Sequence, residues 1–120
     1  MNLTTETILG TTVYGTASGN YDGSSLDFVS DGVRAVNYYA GQGPIQTVTV
    51  QITEFQGTIK LQTSLNDNLG SAQWFDVDVY ECEFAHTEYR SISLTGNYVW
   101  MRAEIVNFSA GTINGIAISY

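Results

Sequence analysis

Polar and apolar side chains alternate along most of this chain, and that period of two limits its fold more than any other feature. Between Ile45 and Thr53, Val48, Val50 and Ile52 fall on one face, while Thr47, Thr49, Gln51 and Thr53 fall on the other. Such a pattern marks a half-buried β-strand. Ile59, Leu61 and Thr63 continue it after a turn at Gly57, and the loop Asn66-Asp67-Asn68-Leu69-Gly70 ends it. Phe75, Val77 and Val79 then alternate with Asp76 and Asp78, which predicts one dry face and one acidic wet face. Ile92 and Leu94 mark another strand before Gly96-Asn97. From 98 to 106, Val99, Met101, Ala103 and Ile105 oppose Tyr98, Trp100, Arg102 and Glu104. After the turn Ser109-Ala110-Gly111, Ile116, Ile118 and Tyr120 share a face, with Gly115 at a bulge.

Upstream, LDFVS, Asp31-Gly32 and VRAVNYY read as strand, tight turn, strand, and Gly41-Gln42-Gly43-Pro44 then breaks the chain. No helical period lasts longer than a turn. About eight short strands with short connections predict an all-β, antiparallel β-sandwich of jelly-roll type. A chain of 120 residues fits one such domain, with a single core.

Residues 1–25 read differently. They are rich in Thr, Gly and Ser, with Ile8, Leu9, Val13 and Tyr14 as isolated apolar points. Three readings are open for them: a flexible tail, a pair of edge strands, or an arm lying on a neighbouring subunit. The expected division is an N-terminal arm or edge strands over 1–25 and a β-sandwich over 26–120.

Charge narrows the partners. Lys60, Arg34, Arg90 and Arg102 are the only basic residues, against 12 Asp and Glu, for a net charge of -8. Nucleic acid needs clustered Lys and Arg to replace phosphate counterions, and anionic membrane surfaces need the same. Neither partner is expected. MNLTTETILG lacks the basic and apolar regions of a secretory signal, and no apolar run approaches a membrane span. The chain reads as a soluble domain.

Catalytic residue types are sparse. His86 is the only histidine and falls in what reads as a surface loop; no G-x-S-x-G accompanies it. Cys82 is the only cysteine, so it forms no internal disulfide, and its flanking glutamates raise rather than lower a thiol pKa. Asp76 and Asp78, two apart on one strand face, have the spacing of an acid/base pair in glycoside hydrolysis, though solubility demands the same pattern. The 66–70 loop offers oxygen ligands for calcium without the order of an EF-hand, and reads as a solvated turn. No cofactor or metal is expected, and the chain is expected not to be an enzyme. Trp74, Tyr98 and Trp100 point away from the presumed core. They are candidate contacts to protein or, less well supported, to a glycan.

Three stretches carry a resemblance: GPIQTVTVQITEFQGTIKLQTSLND, WFDVDVYE and SLTGNYVWMRAEIVNFSAGTINGIAISY. From Gly43 to Tyr120 the chain resembles small β-sandwich virion proteins of tailed bacteriophages, those of T4-like and cyanobacterial phages in particular. L-Q-x-S followed by W-x-x-V is similar, more distantly, to galactose-binding-like jelly rolls. The phage resemblance implies a virion protein in capsid decoration, neck, baseplate or fibre attachment. Its implied partners are other virion proteins and copies of itself. Ile8, Leu9, Val13, Tyr14, Trp74, Tyr98 and Trp100 are the contact candidates, the first four on a contact arm.

Overall fold

The computed structural model describes residues 4–39 and 43–120. Gly41 and Gln42 of the expected Gly-Gln-Gly-Pro break lie outside them. The chain is all-β. Among the described residues seven strands form one antiparallel sheet: β1 (Thr5–Leu9), β2 (Thr12–Val13), β3 (Phe28–Val29), β4 (Val33–Arg34), β5 (Ile45–Ser64), β6 (Phe75–Thr95) and β7 (Trp100–Ser119). β5 lies between β6 and β7, and the four short strands pair in succession along the other edge of β7.

The three long strands have 20, 21 and 20 residues. A straight 20-residue strand runs to about 66 Å, yet the longest dimension of the molecule is 40 Å. Each strand therefore bends. On β5 the buried positions are even-numbered through Ile52 and odd-numbered from Phe55 to Thr63. That change of parity is what extra residues in a bulge produce, since each shifts the alternation by one while the same sheet face stays inside. Glu54 (φ 50°) and Asn107 (φ 55°) take the left-handed backbone at the bends of β5 and β7. Each is followed by a fully buried phenylalanine, Phe55 and Phe108, whose ring centroids lie 5.6 Å apart. The backbones of β5 and β7 approach closely at Gly111 (φ 87°), where a Cβ would land on the Glu54 carbonyl.

Bending brings the sheet back on itself. β1 and β4, paired near opposite ends of β7, come into contact. The buried Gln46 closes the same end: its amide donates to the carbonyls of Pro44 and Gly96 (3.2 and 3.1 Å) and accepts from Val36 N–H at 3.2 Å. One core fills the interior, with Val48, Val50 and Ile52 from one half of β5, and Ile59 and Leu61 from the other.

The turn at Gly57 and the turn at 109–111 are thus bends inside continuous strands. The expected hairpin at Asp31-Gly32 is also corrected: β3 and β4 run in the same direction along β7, with Ser30 between them. Ser30 N–H donates to Ala103 O (2.8 Å) and its hydroxyl accepts from Ala103 N–H (2.9 Å). These bonds hold the chain on β7 where a hairpin would lead it away. Val36–Tyr39, expected to continue a strand, is a 3-10 helix. The bulge expected at Gly115 is present, with Gln51 opposite Gly115 and Ile52 opposite Ile113.

The N-terminal segment is part of the fold, in the edge-strand form among the three readings. Ile8 and Leu9 are only 4% and 7% exposed, and Tyr21 only 1%. Tyr14, Tyr21 and Phe28 all contact Phe108, and Asp27 accepts from Asn107 N–H at 3.0 Å, so residues 14–28 brace the bend of β7. The contact-arm reading fails for Ile8 and Leu9, whose side chains lie in this chain's own core. Burying each such side chain contributes ~1.5–3 kcal/mol, a large part of the ~5–15 kcal/mol that stabilises a domain. A chain lacking residues 1–24 is expected to lose its cooperative urea transition, followed by circular dichroism. Gly111→Ala is expected to cost at least about 2 kcal/mol in the same measurement, through backbone strain and the clash with β5.

Candidate functional site

Among the described residues β6 is the edge strand beyond β5, and it carries the densest grouping of titratable side chains. Its bend differs from those of β5 and β7. Cys82 lies opposite Gly57 and His86 opposite Phe55, so residues 83–85 bow outward with no β5 partner. Side chains stitch the bow to β5 instead: Gln56 Nε2 donates to Glu83 O (3.0 Å), and Thr87 Oγ1 accepts from Glu54 N–H (2.9 Å).

The bend turns the two halves of β6 toward each other. Asp78, Tyr80 and Cys82 lie opposite Leu61, Ile59 and Gly57, and His86, Glu88 and Arg90 opposite Phe55, Ile52 and Val50. All six share the inner face. Arg90 Nη1 pairs with Asp78 Oδ2 at 3.0 Å, and its guanidinium lies 4.4 Å from the Tyr80 ring centroid. The Tyr80 hydroxyl donates to Glu88, and His86 Nε2 stands 3.6 Å from Glu88 Oε1. Polar groups thus latch together the side of the folded sheet where β6 has no further strand beside it.

The electrostatics suit a latch. Desolvation and the bond to Glu88 push the Tyr80 hydroxyl well above its ordinary 10.0. The same bond, with help from His86 and Arg90, holds Glu88 below its ordinary 4.5. Acid–base catalysis near neutral pH draws such values toward 7; here both move away from it. Burial raises the Cys82 thiol, the direction expected from its flanking glutamates but with a different principal cause. His86 is half-exposed, as expected, but lies in β6 rather than in a loop.

Asp76 and Asp78 do not share a face. Gln62 lies opposite Asp76 and Leu61 opposite Asp78, leaving Val77 as the extra residue of a bulge. Asp76 accepts from Gln62 Nε2 (2.9 Å), whose Oε1 accepts from Arg102 Nε (2.8 Å); Asp78 turns inward to Arg90. The dry face expected from Phe75, Val77 and Val79 changes accordingly: Val77 packs on the core, while Phe75 and Val79 are exposed. In the 66–70 loop, Asn66 Oδ1 accepts from Gln73 N–H (2.7 Å) and Asn68 Oδ1 from Gly70 N–H (2.9 Å), so these oxygens shape the loop.

The contact candidates do not form one patch. Val13 and Tyr14 are exposed beside the bend, Tyr14 with its ring edge-on to Phe108. Trp74 packs by Gly32, with the Arg102 guanidinium 4.4 Å from its centroid. Tyr98 lies over Gly96 and against Phe75. Trp100, half-buried, packs on Tyr38, and its buried Nε1 has no acceptor among the described residues.

The most exposed apolar side chains were not among the candidates: Phe84 at 81% and Tyr89 at 69%, both on β6. The signal for Phe84 was a large ring in a run of charged and small residues, Glu81 to Glu88. No protein-family model and no curated protein sequence matches this chain.

Because Tyr80 donates to Glu88, the latch holds while Glu88 is ionised and Tyr80 protonated. Glu88, depressed in the folded state, contributes stability above its ordinary 4.5 that disappears as pH falls through the folded value. Tyr80, raised in the folded state, contributes below 10.0 and the contribution is lost as pH climbs past it. Tyr80→Phe is expected to move the Glu88 titration, read by carboxyl NMR, up toward its ordinary range. An unmoved midpoint would remove the hydroxyl as its cause.

Proposed function

We propose that this chain is a non-enzymatic structural protein of a tailed-bacteriophage particle. It acts by protein–protein contact in capsid decoration or as a neck, baseplate or fibre-associated subunit. One observation carries the reading. On β6, Tyr80, His86, Glu88, Arg90 and Asp78 bind one another, while Phe75, Val79, Phe84 and Tyr89 stand exposed on the same free edge strand. A surface that binds its reactive groups internally and displays apolar ones suits contact better than chemistry. The sequence resemblance over Gly43–Tyr120 supports the same reading and supplies its virion setting.

The finer fold assignment belongs with it. Divided at the bends, the three long strands give six segments. β1 with β2 adds one to the layer of 45–53, 86–95 and 112–119, and β3 with β4 adds one to the layer of 57–64, 75–82 and 100–106. Four segments in each layer make the eight of a jelly-roll sandwich.

A carbohydrate-binding module would use Trp74, Tyr98 or Trp100 as a stacking platform. Its support is weaker, since Arg102 lies over Trp74 and Tyr38 packs on Trp100. Particles of the phage that encodes this chain, purified through a density gradient in high salt, are expected to contain it at a fixed copy number by quantitative mass spectrometry. Its absence from those particles, with selective binding on a glycan array, would replace the virion reading with the carbohydrate one.

A further inference from the structure

We propose that the free edge of β6 over residues 75–84 accepts an extended, basic segment of a partner protein as an added strand; this rests on the reading that the chain works through protein contacts. Among the described residues β6 pairs with β5 alone, so the backbone N–H and C=O groups along its other edge have no strand partner. An edge of this kind is a template for a further strand. Proteins commonly guard such edges with lysine, proline, short length, bulges or inward-pointing charge. This edge runs 21 residues with no lysine and no proline; the bulge at Val77 and the inward-turned Asp78 and Arg90 leave 79–82 as the regularly paired stretch of 75–84.

Its charge is of one sign. Asp76, Asp78, Glu81, Glu83 and Glu88 lie on β6 against a single Arg90. Asp78 is engaged by Arg90, Glu88 by Tyr80 and His86, and Asp76 by Gln62. Glu81 and Glu83 remain exposed and have no ion pair among the described residues. Phe75, Val79 and Phe84 are exposed around them.

That charge selects the occupant. A second copy pairing edge to edge would bring two sets of acidic strands together, in a chain whose net charge is -8. Like charges opposite one another destabilise a strand pair, whereas opposite charges stabilise it. The complement is a strand with Lys or Arg along the face that meets Glu81 and Glu83, which continue the outer-face alternation of Val79, and with apolar residues along its other face.

Three fluorescein-labelled decapeptides test this against the full chain, by anisotropy at low salt: alternating Lys/Val, alternating Glu/Val, and the Lys/Val peptide N-methylated at alternate residues. The Lys/Val peptide is expected to bind, protecting β6 amides from hydrogen exchange. N-methylation should weaken it at least about tenfold, because it removes the donors of a strand ladder without changing charge. The double variant Glu81→Lys/Glu83→Lys, with folding checked by circular dichroism, should favour the Glu/Val peptide instead. Binding unaffected by N-methylation, protection confined to other strands, or no binding of any peptide would overturn the proposal. A dimer with β6 protected would overturn it too, in favour of a second copy. If the double variant still enters particles at full copy number, this edge is not the assembly contact, and the virion reading stands without it.

Discussion

Three strands of about twenty residues each fit into a molecule 40 Å long only by bending, and the bend rests on Phe55 and Phe108. A left-handed residue precedes each ring, turning the backbone and driving the phenyl into the interior. Aromatic pairs at such distances add to what simple burial contributes. Phe108 is the hub, touched by Tyr14, Tyr21, Phe28 and Phe55. Without this packing the sheet has one apolar face and nothing to cover it. With it, each half covers the other.

Other features follow from the fold-over. The N-terminal segment cannot be an accessory, because its aromatics fill the space on the inner side of the bend and its short strands complete the edge of β7. At the opposite edge no strand among the described residues pairs with the outer side of β6, and the inner face there closes with Asp78–Arg90 and Tyr80–Glu88 contacts. These exposed and half-exposed pairs stabilise modestly. Their larger effect is geometric, since they tie together strand halves that the bend alone leaves as a hinge.

The proposed reading rests on β6, whose titratable groups bind one another and whose outer edge has no strand partner among the described residues. Where a strand edge is long, acidic and dotted with exposed apolar rings, neither solubility nor the core explains all of it. On the proposed reading, contact with another protein accounts for the apolar rings. On the same reading, Glu81 and Glu83, without an ion pair among the described residues, set the sign of that partner's charge.

Much of the fold was legible because burial on a strand leaves a period of two. The inward sets Val48-Val50-Ile52, Ile59-Leu61 and Met101-Ala103-Ile105 read directly, as did the bulge beside Gly115. Even the bend of β5 left a trace, in the change of parity around Gly57, although a local pattern cannot distinguish a bend within one strand from a turn between two. The site was far less legible. Asp76 and Asp78 part because a bulge at Val77 is set by pairing with β5, a partner some fifteen residues away. His86, Glu88 and Tyr80 meet only because β6 doubles back. Ile8, Leu9 and Tyr21 are core residues only because β7, a hundred residues on, provides a wall for them. Sequence alone determined the all-β class, the inward faces of β5 and β7 and the acidic surface, since these depend on composition and near-neighbour spacing. Tertiary structure decided which strands bend, which end of the chain completes the sheet and which edge stays open, since these depend on register between distant segments.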